Sequence, residues 1–370
     1  MKISVTHVIT TIDMGGAEKQ LLSLASFQIR TGYEVEVIFL KDIPLLKDEF
    51  ESVGVKVNNS FSQLSFLRQC QKLRKLRSGQ SSVFHAHLPR AEILCAIALK
   101  KKTFIVTRHN TEAFFPKGPS MLSRRLSRFV LRRAFACISI SKAVSDFLKM
   151  KKEIPSGVRH HVIYYGLKDL DPLYLKRFPA QKRHIRIGTI ARLVPQKNLP
   201  LAIHAIKLLN VDSSIVFSLD ILGKGPLLKQ LEALVKSLGL QNLVSFRGIT
   251  EDIKNFYDSL DLFVLTSNYE GFGLVLLEAM TFGVPILSRN VSAIPEVLGE
   301  KHPGLLNSNY PSDLAERIRQ IVFNAQKWEK CLKFQSVRLK KFSIEVSHNS
   351  YQSIYLDLIA SRVLKAQNIS

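Results

Sequence analysis

The chain has 370 residues, 46% hydrophobic and 22% charged, which is enough for two ordinary domains with separate cores and excludes a disordered chain. No apolar run reaches the roughly 18–20 residues that span a bilayer. The formal net charge is +23, and residues 1–180 hold 30 Lys+Arg against 14 Asp+Glu, so the excess points to an anionic partner: a membrane face, a nucleic acid or an acidic substrate. The start, Met1 to Ile9, alternates like a strand and lacks the apolar segment and cleavage site of a signal peptide. Cys70, Cys95, Cys137 and Cys331 are scattered, which argues against a disulfide framework or structural zinc and for a reducing cytoplasm.

In chain order, Lys2 to Thr11 reads as a strand, Asp13 to Glu18 as a glycine turn, and the segment to about Thr31 as a helix carrying Leu21, Leu24 and Ala25. Tyr33 to Leu40 completes a βαβ unit. Further strands are expected at Val55–Val57, Ser82–His87 and Thr103–Thr107, with helices between them, the pattern of a doubly wound parallel sheet. His85, His87 and His109 fall at strand ends. No carboxylate or further histidine is spaced to complete a metal site with the first two, so none is expected.

Two helices carry the basic excess, Phe66–Arg77 and Met121–Phe135. In the second, Leu122, Leu126, Phe129 and Val130 share one face, and Arg124, Arg125, Arg128 and Arg132 line another. Such a helix suits an anionic lipid surface, or packs its apolar face on the sheet with the arginines solvated. Cys137 to Leu148 reads as strand into helix and Val162–Leu167 as the last strand of the first domain. Residues from Lys168 to His184 form a linker. The pattern then restarts. Ile185–Ile190 is a strand, Ala191–Asn198 a loop with Arg192 and Lys197 at the strand's carboxyl end, and Leu199–Leu209 a helix. Phe217–Pro226, with Gly223 and Gly225, is strand and turn; Leu243–Ile249 is another strand.

The most informative stretch runs from Asp261 to Pro285. Asp261–Thr266 is a short apolar run that reads as a buried parallel strand. Gly271 and Gly273 then turn the backbone, and a helix begins near Leu274, presenting N–H groups where a diphosphate is well placed. Glu270 precedes the turn and Glu278 lies one turn inside the helix; carboxylates are natural acceptors for sugar hydroxyls. Glu270-x7-Glu278 followed by Ala-Met-x-x-Gly283-Val-Pro285 resembles the retaining glycosyltransferases of the GT-B fold, family 4 (group 1), which use nucleotide-diphospho-sugars.

The resemblance implies two Rossmann-like α/β domains facing a cleft. Residues 1–175 would bind the acceptor and residues 176–342 the nucleotide sugar, and a last helix, 343–370, would return to the first domain. It implies Glu278 on the ribose, Glu270 on the transferred hexose, and Arg192, Lys197 and the backbone of Gly271, Phe272, Gly273 and Leu274 on the diphosphate. It further implies Gly16 beside the donor and His109 near the reacting centre. No metal or other cofactor is implied, because two cations and a helix N-terminus meet the diphosphate charge. Departures from the family pattern are Tyr165 in place of Asn, Ala191 in place of Gly, and Ser292-Ala293 in place of two glycines. The expected function is retaining hexosyl transfer to a saccharide or lipid-linked acceptor in cell-surface polysaccharide or lipopolysaccharide synthesis. The expected location is cytoplasmic, with peripheral attachment at the inner membrane face. A GT-B nucleotide-sugar 2-epimerase is the first alternative. A basic nucleic-acid-binding protein is the second, disfavoured because its basic helices lack interleaved aromatics.

Overall fold

A computed structural model describes residues 2–76, 81–115, 118–168, 176–180, 182–211, 214–250 and 252–367, the side chains of 365–367 excepted. The chain divides into two compact units, residues 1–168 with 342–370, and residues 169–341.

The first unit alternates strand and helix: β1 (Ser4–Ile9), α1 (Gly16–Arg30), β2 (Glu34–Phe39), α2 (Lys47–Ser52), β3 (Lys56–Asn58), α3 (Phe66–Lys75), β4 (Ser82–His87), α4 (Pro89–Ala98), β5 (Phe104–Arg108), α5 (Ser120–Arg133), β6 (Ala136–Ser139), α6 (Lys142–Met150) and β7 (Arg159–Val162). Its sheet is wholly parallel with order β3-β2-β1-β4-β5-β6-β7. Strands such as β1 and β5 are buried on both faces, which is why they read as runs of Val and Ile.

The second unit repeats the scheme with β8 (His184–Ile190), α7 (Leu199–Leu209), β9 (Val216–Leu222), α8 (Leu228–Ser237), β10 (Val244–Gly248), α9 (Ile253–Ser259), β11 (Leu262–Leu265), α10 (Leu274–Thr281), β12 (Ile286–Arg289), α11 (Ile294–Leu298), β13 (Leu305–Leu306), α12 (Pro311–Val322) and α13 (Ala325–Leu339). Its sheet order is β10-β9-β8-β11-β12-β13, so the order reverses between β8 and β11, the place where doubly wound sheets bind ligands. The helices α12 and α13 were not anticipated; their core residues Leu314, Ile318, Ile321, Trp328 and Leu332 seal one side of this sheet.

The last helix, α14 (Ile344–Gln367), belongs to the first unit. Tyr351, Ile354, Tyr355, Leu358 and Ile359 join the first core, each contributing about 1.5–3 kcal/mol through burial. Leu356 is 49% exposed, because the buried stripe runs through 351, 354, 355 and 358.

Three other expectations need correction. The strand expected at Val162–Leu167 lies earlier, at Arg159–Val162, where it pairs with β6. The apolar residues after Val162 are buried for another reason: Leu167 N donates to Phe342 O at 2.8 Å and Ile344 N to Leu167 O at 2.9 Å, tying the segment to the start of α14. The buried stripe of α5 is shifted from the apolar face and shares only Val130 with it. Ser123, Ser127, Val130 and Leu131 face inward, while Met121, Leu122 and Phe129 are 56%, 51% and 40% exposed. The serines are inside because their hydroxyls have partners: Arg108 Nη2 donates to Ser127 Oγ at 2.9 Å and Phe115 N to Ser123 Oγ at 3.0 Å. Helix α3 ends at Lys75, and Arg77 lies outside the described residues, as do 169–175 and 181 of the expected linker.

Candidate active site

In the second unit the loops after β8 and β11 behave as one body. Thr266 Oγ1 donates to Lys197 O at 3.0 Å, Asn268 N to Gln196 O at 2.8 Å, and Gln196 Nε2 to Tyr269 O at 2.9 Å. From β12, Arg289 Nη1 donates to Asn268 Oδ1 at 2.7 Å and to Ser267 O at 3.2 Å. This lacing brings Lys197 Nζ to 2.6 Å from Glu270 Oε1, and Ser267 Oγ donates to the same oxygen at 2.6 Å. Glu270 is 5% exposed. A carboxylate that deep needs a cation and a further donor, and here Lys197 and Ser267 supply them.

Gly271 and Phe272 are buried in the turn that follows, and Gly273 caps α10 at φ +89°, a conformation that side-chain-bearing residues rarely adopt. In the first turn Leu276 N donates to the capping Gly273 O at 2.9 Å, and the helix dipole adds partial positive charge at this end. Glu278, one turn in, is half-buried and oriented by Tyr257 of α9, whose hydroxyl lies 3.1 Å from Glu278 Oε2 and 3.2 Å from Val275 O. The Tyr257 ring stacks on Phe282 with centroids 5.0 Å apart and planes at 13°. Burial pushes its phenol well above the usual range, and the neighbouring Glu278 adds to this, so Tyr257 stays a donor.

Arg192 is exposed on the loop after β8. The backbone on either side of it is clamped by the Gly223-Lys224-Gly225 turn: Ala191 N donates to Leu222 O at 2.9 Å and Leu193 N to Lys224 O at 3.0 Å. A Cβ at Gly223 would fall 2.0 Å from Ala191 O, and one at Gly225 2.5 Å from Leu193 O. These glycines therefore permit close backbone approach, and their contacts are with protein.

In the first unit, Gly16 opens α1 and is exposed, while His109 follows β5 and is half-buried. The reading that no further histidine joins His85 and His87 is overturned. In the parallel sheet His7 of β1 lies in register with His85 of β4, although 78 residues separate them, and His7 Nδ1 is 3.0 Å from His87 Nε2. Nitrogens of His7, His85 and His87 lie within 4.8 Å of one another, a spacing a metal ion can bridge, yet every ring nitrogen already has a hydrogen-bond partner. His87 Nδ1 is 3.1 Å from His109 Nε2, and His109 Nδ1 meets the Tyr165 hydroxyl. Burial lowers His7 to about 4 and His109 to about 3, and drives His85 and His87 well below the usual value. All four rings are neutral near pH 7.

Two family matches cover most of the chain. Residues 14–169 match Glycosyltransferase Family 4 and residues 173–335 match Glycosyl transferases group 1. The chain is a family 4 (group 1) glycosyltransferase. It is similar, at 27% identity over 97% of this chain and 98% of the other, to the Campylobacter jejuni GalNAc-alpha-(1->4)-GalNAc-alpha-(1->3)-diNAcBac-PP-undecaprenol alpha-1,4-N-acetyl-D-galactosaminyltransferase. Similarity to the Escherichia coli O-antigen biosynthesis glycosyltransferase WclY is 24% over 96% and 99%. The solved structure of Anabaena HepE in complex with UDP and glucose superposes with a TM-score of 0.76 at 21% identity, covering 95% of this chain and 98% of that one. The transferase thus has the GT-B fold.

Several residues that shape this glycosyltransferase's candidate site were invisible to sequence reasoning. Tyr257, Ser267 and Arg289 act through contacts made by folding, and no local motif marks them. One departure did carry a signal. Ser292, where the family commonly has glycine, sits at φ +49°, so the transferase holds a serine in a conformation that costs roughly 1–2 kcal/mol.

Proposed function

We propose that the protein is a retaining hexosyltransferase that moves a sugar from a nucleotide-diphospho-sugar to a saccharide or lipid-linked acceptor in cell-surface polysaccharide assembly. The observation that carries this reading is the grouping of Lys197, Glu270, Ser267 and the α10 N-terminus, with Tyr257-supported Glu278 one turn away. Glu278 accepts from the ribose hydroxyls and Glu270 from the hexose. The diphosphate, whose charge grows as the glycosidic bond breaks, is met by Lys197, Arg192 and the first-turn N–H groups of α10. By the family resemblance His109 lies near the sugar's hydroxyls and the reacting centre. A departing phosphate oxygen takes the acceptor's proton, and with the cations in place no metal is required. The polysaccharide setting rests on the relatives, one named for a PP-undecaprenol-linked acceptor and one for O-antigen biosynthesis.

Thermal stabilisation by UDP, GDP, ADP and their sugars tests this reading. One nucleotide is expected to raise Tm in the wild type, with the shift abolished in Glu278→Ala and reduced in Tyr257→Phe, which removes a single hydrogen bond worth about 1 kcal/mol. No shift with any nucleotide would sink the assignment, and an inverted anomeric configuration in the product would remove the word retaining.

Peripheral attachment to an anionic membrane is the second part of the proposal. Among the described residues no helix is long and apolar enough to cross a membrane. Helix α5 carries exposed Met121, Leu122 and Phe129 beside exposed Arg124, Arg125 and Arg132, an apolar and cationic surface in one element. At about 1 kcal/mol per well-placed cation, vesicles containing anionic lipid should bind the protein at low salt and neutral ones should not. Arg124→Glu/Arg125→Glu should release it. Equal binding to both vesicles, or to neither, would refute the attachment.

A further inference from the structure

Nine polar groups of the first unit form one hydrogen-bonded circuit behind His109. Starting from the outer end, it runs Tyr165 hydroxyl, His109, His87, His7 and the amide of Gln28, with His7 Nε2 2.9 Å from Gln28 Oε1. It continues from Gln28 Nε2 through a long 3.5 Å contact to the Tyr355 hydroxyl, 2.8 Å to His85 Nδ1, and 2.7 Å from His85 Nε2 to Thr107 Oγ1, which also bonds Tyr351. His7, His85, Gln28, Thr107 and Tyr355 are fully buried, and His87 and Tyr165 nearly so.

A neutral imidazole carries one N–H and one bare nitrogen, so each ring passes on the direction it receives. Gln28 Oε1 can only accept, hence His7 bears its proton on Nε2 and accepts at Nδ1. His87 must then donate from Nε2 and accept at Nδ1. His109 in turn donates from Nε2, which leaves Nδ1 as an acceptor facing the Tyr165 hydroxyl. The second arm agrees: the Gln28 amide donates to Tyr355, Tyr355 to His85 Nδ1, and His85 Nε2–H to Thr107.

We infer that Gln28, His7 and His87 are positioning residues that lock His109 as the Nε2–H tautomer, so that its bare Nδ1 accepts the Tyr165 O–H and leaves the Tyr165 oxygen as the acceptor for a sugar hydroxyl. This rests on the proposed role of His109. The two arms meet at the buried Gln28 amide, which does not relay a proton, so the circuit orders protons and does not conduct them. Tyr165 is where this chain departs from the family's Asn, and its hydroxyl meets His109 Nδ1.

Nitrogen-15 NMR of histidine-labelled protein at pH 7 reads the tautomers directly. The expected result is Nε2–H at His7, His87 and His109 in the wild type. Any of these rings as Nδ1–H or imidazolium overturns the inference, as does a stoichiometric shift of their bare nitrogens on adding zinc, which would make the cluster a metal site. In Gln28→Glu the new carboxylate should hold His7 as imidazolium, whose Nδ1–H now donates to His87. His87 and His109 should both switch to Nδ1–H, and kcat should fall about 10-fold with little change in KM for the donor. An unchanged His109 tautomer in folded Gln28→Glu also overturns it. His109→Ala separates the two readings: an unchanged rate there removes the role of His109 while leaving the tautomer result standing.

Discussion

Replacing Lys197 by Ala is expected to lower kcat/KM for sugar transfer by about 10²–10³-fold, the range seen when one preorganised electrostatic group is removed from a transition state. The same change strands Glu270. Its side chain is 7% exposed and, among the described residues, would keep only Ser267 as a direct donor, so a buried carboxylate loses its cation at a cost of about 3–5 kcal/mol. The double variant Lys197→Ala/Glu270→Gln should recover most of the melting temperature and none of the activity, because a neutral amide tolerates the site but cannot replace the cation at the diphosphate. Scanning calorimetry alongside initial rates checks both halves. Recovery of rate with stability would mean that Lys197 only neutralises Glu270.

Arg108→Ala should also be strongly destabilising. Arg108 is 6% exposed and sits between two buried carboxylates: its Nε is 2.9 Å from Glu92 Oε2 and its Nη1 3.3 Å from Glu153 Oε2, while its guanidinium lies 4.5 Å above the Phe114 ring. Removing it leaves two acids with no cation, which costs about 3–5 kcal/mol and roughly 10 °C in Tm for a unit of this size. The wild type already holds one more buried acid than base in this cluster. Burial pushes Glu92 up to about 7, with Arg108 opposing and Glu153 adding to the rise. A carboxyl raised above its ordinary value of 4.5 favours the folded state when protonated. Its contribution is therefore complete below about pH 4.5 and is lost as the pH rises through about 7. His7 and His109, buried neutral, act in the opposite sense and lose stability as the pH falls below their ordinary value. The difference in Tm between wild type and Glu92→Gln isolates the first effect: wild type should lose ground to the variant between pH 5 and pH 8. A pH-independent difference would refute this account of Glu92.

Most strands of the two sheets were readable in order, although β7 was expected too late in the chain and β13, α12 and α13 were not read. Buried parallel strands are short runs of β-branched residues, and their amphipathic helices repeat at 3.6 residues, so local spacing carries them. Helix α7 and strand β4 fall at their expected limits for this reason. The sharp turn at Gly273 and the helix start at Leu274 were equally legible, because a left-handed residue before a helix leaves a glycine in the chain. Lys197 and Glu270 were named from sequence, but their 2.6 Å pairing depends on two loops 73 residues apart that only the adjacency of β8 and β11 brings together.

Other features were decided by tertiary structure alone. Serines on α5 face inward because Arg108 and the Phe115 amide need acceptors, which shifts the buried stripe away from Leu122 and Phe129 of the apolar face. Tyr257 supports Glu278 from a separate helix, and the Gly223–Gly225 turn serves the Arg192 loop by close backbone contact. His7 joins His85 only through strand register, and Gln28 reaches it from α1. Sequence spacing records what a residue does within its own element. Which polar side chains meet across elements depends on register and packing, and those are properties of the folded sheet.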